Sequence, residues 1–237
     1  MSGRRWNIAE THCVEKRKTE AGDKLVNNYR LMQTLGQGRF GKVKLCERLA
    51  NGAGAGDGAA ASRPPPAFTP PKARLFAMKI FSKKMLRRLK DYCAEPSTER
   101  EGGEEEMPMR MRAVTALDRV RDEVEIMRSL YHRNIVLLFE VIEADDSDKL
   151  YMVLEYMACG PCMVYRPDTK DFYSRVTGGT LSEELARSYL SDILLGLEYL
   201  HQRRICHRDI KVTACVFVVC SVLYADVAPC RCMLCLT

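Results

Sequence analysis

Three glycines spaced Gly36-x-Gly38-x-x-Gly41, a lysine inside an apolar run at Lys79, and the pentapeptide His207-Arg208-Asp209-Ile210-Lys211 are the residues of this 237-residue chain whose types and intervals suit chemistry. Glycines at that interval let a backbone fold closely over phosphates, because no Cβ stands in the way, and Phe40 at the tip would shield them from water. The same interval occurs in ordinary Gly-rich hairpins, and where the glycines open a helix it belongs to dinucleotide-binding folds. Lys79 interrupts Leu75-Phe76-Ala77-Met78-Lys79-Ile80-Phe81. A charge in such a strand must find a partner, face a site or point to solvent. A His-Arg-Asp triplet alone arises by chance; its place after a long helical pattern gives it weight.

The elements that must position these groups are legible in outline. Tyr29 to Leu35, Lys42 to Cys46, Leu75 to Phe81, Ile135 to Val141 and Leu150 to Glu155 read as strands. Because Val43-Lys44-Leu45 continues as a strand, the glycines form a hairpin tip rather than a helix start. Val120, Val124, Met127 and Leu130 recur at helical spacing, as do Leu185, Tyr189, Ile193, Leu197 and Leu200. Ser182-Glu183-Glu184 supplies a capping oxygen and two carboxylates at the positive end of the second helix. Asn51 to Pro71 is built mainly from Gly, Ala and Pro and reads as a flexible inserted loop, and Arg87 to Ala113 as a second, mobile interruption.

A chain of this length with 46% apolar residues can bury a real core. Its net charge of +6 comes largely from the stretch Lys72 to Lys90, which holds eight basic residues and no acid and reads as a solvated surface, not a nucleic-acid patch. Met1 to Lys24 lacks the apolar core of an export signal, so the cytosol or nucleus is expected, with the 11 cysteines reduced.

Taken in order, the glycine hairpin, Ala77-Met78-Lys79-Ile80, Asp122-Glu123-Val124-Glu125-Ile126-Met127, Leu150 to Met157 and the His207 pentapeptide resemble a eukaryotic protein kinase. The resemblance implies an α+β, bilobal protein-kinase-like fold, a small antiparallel sheet lobe plus an incomplete helical lobe. It also implies ATP as cofactor and a protein substrate, with another kinase as one candidate; no nucleic-acid or membrane partner is assigned. Gly36, Gln37, Gly38, Arg39, Phe40, Gly41 and Val43 would cover the nucleotide, with Ala77 beside it. Lys79 would hold the α- and β-phosphates and pair with a helix glutamate, Glu123, with Glu125 as the fallback. Leu154 would be the gatekeeper, and the backbones of Glu155 and Met157 would bond adenine. Asp209 would orient the substrate hydroxyl's proton, and Lys211 would offset charge on the transferred group.

Within kinases, Ser82-Lys83-Lys84, Val141-Ile142-Glu143, Leu150-Tyr151-Met152-Val153 and Gly160-Pro161-Cys162-Met163 look like the calcium/calmodulin-dependent protein kinase kinases and related plant upstream kinases. Calmodulin itself is left unassigned. The expected division is an N-terminal extension over 1–28, a small lobe over 29–157 with its inserts, part of a large lobe over 158–211, and an apolar Cys-rich tail over 212–237.

Departures from the pattern cluster after Lys211. Ala214 stands where the family has a Mg²⁺-binding asparagine, and no Asp-Phe-Gly occurs. An alanine side chain cannot ligate Mg²⁺, which the family uses. The chain as written is therefore expected to be inactive in transfer, the alternative being a nucleotide- or partner-binding module. Ala214 to Ala225 is apolar but shorter than the ~20 residues of a spanning helix. Cys230-x-Cys232-x-x-Cys235 lacks a second ligand pair, so no metal site is assigned. Valine codons all begin with GT, so the tail from Val212 reads as translation past a splice junction, which sequencing the native transcript there would test. The five periodic side chains of the Ser182 helix would lie wet without further helices, making this lobe loose.

Overall fold

Eight of the strands join a single sheet whose two ends are nearly consecutive in sequence, and this curls it. The computed structural model describes residues 8–38, 40–49, 75–96, 109–207, 210–211 and 223–224. In chain order its elements begin with β1 (Ala9–Thr11), β2 (Lys16–Lys18), β3 (Lys24–Val26), β4 (Tyr29–Gln37), β5 (Gly41–Arg48) and β6 (Leu75–Ser82). There follow α1 (Lys83–Arg88), β7 (Lys90–Pro96), β8 (Met109–Thr115), α2 (Ala116–Ser129), β9 (Leu138–Glu143) and β10 (Lys149–Glu155). The series ends with β11 (Val164–Arg166), β12 (Asp171–Tyr173), α3 (Glu183–His201), β13 (Ile205–Cys206) and β14 (Leu223–Tyr224). The fold is α+β, and the chain divides into two compact units, one formed by the residues up to Ser82 with Leu137–Cys159, the other by Lys83–Val136 and the residues from Gly160 on.

The first unit is the sheet, in the order β1-β9-β10-β6-β5-β4-β3-β2. All pairings are antiparallel except that of β1 with β9. Laid flat, eight strands would span ~34 Å at ~4.8 Å per step. Yet only residues 12–15 link β1 to β2, a reach of at most ~17 Å. The sheet must therefore roll up until its edge strands approach.

The rolled interior holds Val26, Tyr29, Cys46, Phe76, Met78, Ile80, Ile142, Tyr151 and Val153, with Val14, Leu31 and Phe139 packed against them. Tyr29 and Phe139 each meet the Phe76 ring edge-on, at 6.0 and 5.2 Å. Burial pushes the Cys46 thiol up to about 12. At one side of this core the Glu140 carboxylate, on β9, accepts the Thr11 hydroxyl at 2.5 Å and the Tyr29 hydroxyl at 2.6 Å. Arg48 donates to the Tyr29 oxygen at 3.0 Å and lies over the Tyr29 ring. Four strands, β1, β4, β5 and β9, thus meet at one buried polar knot. Burial, then Glu140, holds the Tyr29 phenol well above its ordinary range.

Two stretches differ from the sequence reading. Within 1–28, read as an N-terminal extension, residues 9–26 supply β1, β2 and β3 of the sheet. Their strands are three residues long, and β2 is Lys16-Arg17-Lys18, fully exposed, the charged edge that sheets use and that period-two patterning cannot register. The stretch Arg87 to Ala113, read as a mobile interruption, contains most of a hairpin, β7 paired with β8 from Lys90↔Thr115 to Pro96↔Met109. The Gly/Ala/Pro loop at 51–71 lies outside the described residues.

The second unit is built around α2 and α3. Thr115 caps α2 through a reciprocal box with Asp118: its hydroxyl accepts the Asp118 N–H at 3.2 Å, and the carboxylate accepts the Thr115 N–H at 2.9 Å. Those bonds hold the Asp118 carboxyl below its usual range. Arg119 reaches back to Asp91 on β7 at 2.6 Å. Past α2, the Tyr131 N–H donates to the Tyr199 hydroxyl at 2.8 Å, His132 stacks on the Tyr199 ring at 4.7 Å, and Asn134 donates to Asp192 at 2.9 Å. These contacts fasten the turn after α2 to α3.

Ser182 caps α3 by accepting the Leu185 N–H at 3.3 Å, as its sequence implies. The expectation that its five periodic apolar residues lie wet is corrected. Leu200 is fully buried, and Leu185, Tyr189, Ile193 and Leu197 are half-covered. The solvent-facing leucines are instead Leu190, Leu194 and Leu195.

Candidate nucleotide-binding face

The glycine hairpin is β4 and β5, paired through Gly36↔Val43 and Gln37↔Lys42 and closed by the Gly38 N–H donating to the Gly41 carbonyl at 2.9 Å. Gly41 has a specific reason to be glycine. A Cβ there would lie 2.1 Å from the carbonyl oxygen of Ile80 on the neighbouring strand. Gly36, by contrast, has open space where a side chain would project. Phe40 is 3% exposed, so its ring is folded in rather than presented to solvent at the tip. Arg39 lies outside the described residues.

Strand register decides which of the expected contacts share a surface. Val43 on β5 stands opposite Lys79 on β6, and Leu45 opposite Ala77. On the other side of β6, β10 sets Leu154 opposite Ala77 and Met152 opposite Lys79. Directly paired residues project from the same side of a sheet. Val43, Ala77, Lys79 and Leu154 therefore occupy one face, with Leu45, Phe81, Leu150 and Met152 among them. The alternate residues Phe76, Met78 and Ile80 point into the core. Lys79 Nζ lies 5.1 Å from the centre of the Phe81 ring on its own strand.

Met152 and Leu45 were missed by sequence reasoning. β10 is apolar on both faces, so its run Leu150-Tyr151-Met152-Val153-Leu154 carries no alternation to say which side chains turn to the site.

At the end of β10 the Glu155 N–H donates to the Leu137 carbonyl at 2.9 Å, and its carboxylate accepts the Leu137 N–H at 3.3 Å. Burial raises the Glu155 carboxyl above its usual range. Met157, two residues on, is half-buried.

In the second unit the two candidate helix glutamates separate clearly. Glu123 is 3% exposed, whereas the Glu125 side chain is 69% exposed and pairs with Arg128 at 3.3 Å. After α3, Ile205 and His207 are buried, and Ile210 and Lys211 are exposed. Asp209 and Ala214 lie outside the described residues. β13 pairs with β14, setting Ile205 opposite Tyr224. No helix among the described residues is long and apolar enough to cross a membrane, and no three of their His, Cys, Asp or Glu side chains gather as a metal site would require.

Residues 104–218 match the family model described as protein kinase domain. A probable serine/threonine-protein kinase of Dictyostelium discoideum is 31% identical over 202 residues, 85% of this chain and 22% of that protein. A calcium/calmodulin-dependent protein kinase kinase of Caenorhabditis elegans is 33% identical over 199 residues, 84% of this chain and 30% of the relative. A serine/threonine-protein kinase of Arabidopsis thaliana is 33% identical over 205 residues, covering 86% of this chain and 38% of its own length. The chain thus spans well under half the length of these relatives.

Proposed function

Because the chain belongs to the eukaryotic protein kinase family, we propose that the Val43, Ala77, Lys79 and Leu154 face of its sheet binds ATP for phosphoryl transfer to serine or threonine. The observation that supports this most is the register, which sets a lysine among apolar side chains on a single sheet face. Leu45, Ala77 and Leu154 form an apolar surface suited to a purine ring. Lys79, opposite Val43 near the hairpin, would meet phosphate charge. By the resemblance, the backbone of the glycine hairpin would cover that end, and the Glu155 and Met157 backbones would bond the adenine edge.

By the resemblance, Glu123 of α2 is the residue proposed to pair with Lys79, with Glu125 as the fallback. Asp209 would orient the attacking hydroxyl, and Lys211 would neutralise charge on the moving group. Mg²⁺ fits this chain less well than ATP does. Ala214 offers no oxygen where the family has asparagine, and the second metal-binding motif does not occur in these 237 residues. We therefore assign nucleotide binding to this chain and expect transfer by it to be weak or absent. Its substrate class is proposed to be another protein kinase, from the likeness to an enzyme named for acting on kinases.

Titration with a fluorescent ATP analogue, followed by assay of phosphate transfer to protein, tests both halves. Binding that Lys79→Met weakens about tenfold or more, with little transfer, is the expected result. Absence of binding in a folded chain would overturn the nucleotide reading. Vigorous transfer abolished by Lys79→Met would overturn the expected inactivity.

A further inference from the structure

α3 is apolar on two sides. One is covered where Tyr131, His132 and Asn134 fasten onto Tyr199 and Asp192. On the other, Leu190, Leu194 and Leu195 are 56%, 54% and 46% exposed. With Arg187, Ser191 and Glu198 they line one shallow groove along the helix. Among the described residues this is the one stretch of helix that presents three exposed leucines within two successive turns.

The order of these six positions identifies what fits them. From Arg187 to Glu198 the spacing is the same read from either end, about a point between Asp192 and Ile193. The ends carry opposite charge, the inner positions are apolar, and the serine lies next to the centre. A face flanked by charge of a single sign would select a partner of the other sign. A face with a cation at one end and an anion at the other matches its own reversal.

We propose that α3 pairs antiparallel with α3 of a second copy of this chain about a two-fold axis. Arg187 then meets the partner's Glu198, Leu190 meets the partner's Leu195, and Leu194 meets the partner's Ser191. Each contact occurs twice, as a two-fold interface requires. The serine beside the axis leaves room for the opposing leucine, so the helices approach to ordinary packing distance, ~8–10 Å. Arg187 at present bonds Glu183 at 2.7 Å, but those side chains are 78% and 85% exposed. Exchanging so exposed a pair costs little.

The test is the mass of the full chain in solution over a range of concentration. It should rise from 26.9 kDa towards twice that value. Arg187→Glu and Glu198→Arg should each weaken association about tenfold, and the double variant Arg187→Glu/Glu198→Arg should restore it. Leu194→Asp should abolish it. The charge variants alter exposed side chains, so circular dichroism should show them folded, which keeps the comparison valid even if Leu194→Asp fails to fold.

A monomer at all concentrations, with the leucine turns protected from hydrogen exchange, would overturn the proposal and assign the groove to the chain's own residues. Association that ignores the charge reversals, or that the double variant fails to restore, would overturn it in favour of another surface. Growth into larger species without a dimer would do the same.

Discussion

Replacing Glu140 by alanine should loosen the rolled sheet at the point where four strands meet. The carboxylate accepts two hydroxyl protons, from Thr11 at 2.5 Å and Tyr29 at 2.6 Å, and stands 3.7 Å from the Arg48 guanidinium. Hydrogen bonds to a charged group contribute about 1.5–3 kcal/mol each. Tyr29 is 0% exposed, so its hydroxyl proton would be left without an acceptor and without water, and Arg48 would lose its counter-charge. Removing one partner of such a buried set costs about 3–5 kcal/mol. At roughly 2–4 °C per kcal/mol for a chain of this size, the melting temperature should fall by roughly 6–20 °C. Urea unfolding of the wild type and of Glu140→Ala, Tyr29→Phe and Thr11→Val should rank the losses in that order. Hydrogen exchange should show β1 released first. A loss under about 1 kcal/mol in Glu140→Ala, with β1 still protected, would refute the argument that this knot closes the sheet.

Gly41→Ala should cost about 1–3 kcal/mol and weaken nucleotide binding with it, because the new Cβ would meet the Ile80 backbone and force β5 from β6; Gly36→Ala, into open space, should be nearly neutral, and a melt of both variants checks the contrast. His132 has its pKa lowered by burial first and then by Arg133 and Arg203. Its neutral form is therefore favoured in the folded state, and the stability it contributes is present above about pH 6.5 and lost as pH falls through the lowered folded value. His132→Phe, which can keep a ring on Tyr199, should flatten that slope in unfolding measurements between about pH 7 and 5; an unchanged slope would assign it to other groups.

The sequence was most informative where one physical signal dominated. Four of the five expected sheet strands, α2 and α3 stand close to where their apolar patterning sets them, whereas the strand expected over Ile135 to Val141 begins three residues later, at Leu138. Ser182 and the acids after it marked the start of α3 to the residue. The three N-terminal strands were hidden because three exposed residues such as Lys16-Arg17-Lys18 look like loop. The β7–β8 hairpin was hidden by its neighbours: the acidic and Gly-rich stretch from Glu99 to Glu106 made the whole interval look irregular. On α3, helical spacing drew attention to Leu185, Tyr189 and Ile193, while Leu190, Leu194 and Leu195 carried the exposed face. Periodicity counts apolar residues but cannot say which of two apolar sides has a neighbour. At the site, order along the chain nominated Val43, Ala77, Lys79 and Leu154 separately, and only strand register shows that they share a face.

The seam between β1 and β9 bears on how the protein is made. Thr11 bonds a carboxylate 129 residues further along. At a synthesis rate of about 5–20 residues per second, β1 must wait on the order of ten seconds for its neighbour β9 to be made. During that interval β4, β5 and β6 can zip as hairpins, since their partners are close in sequence. β1, made before β4, β5 and β6, is then seated after them, and it joins the sheet only once β9 has been translated.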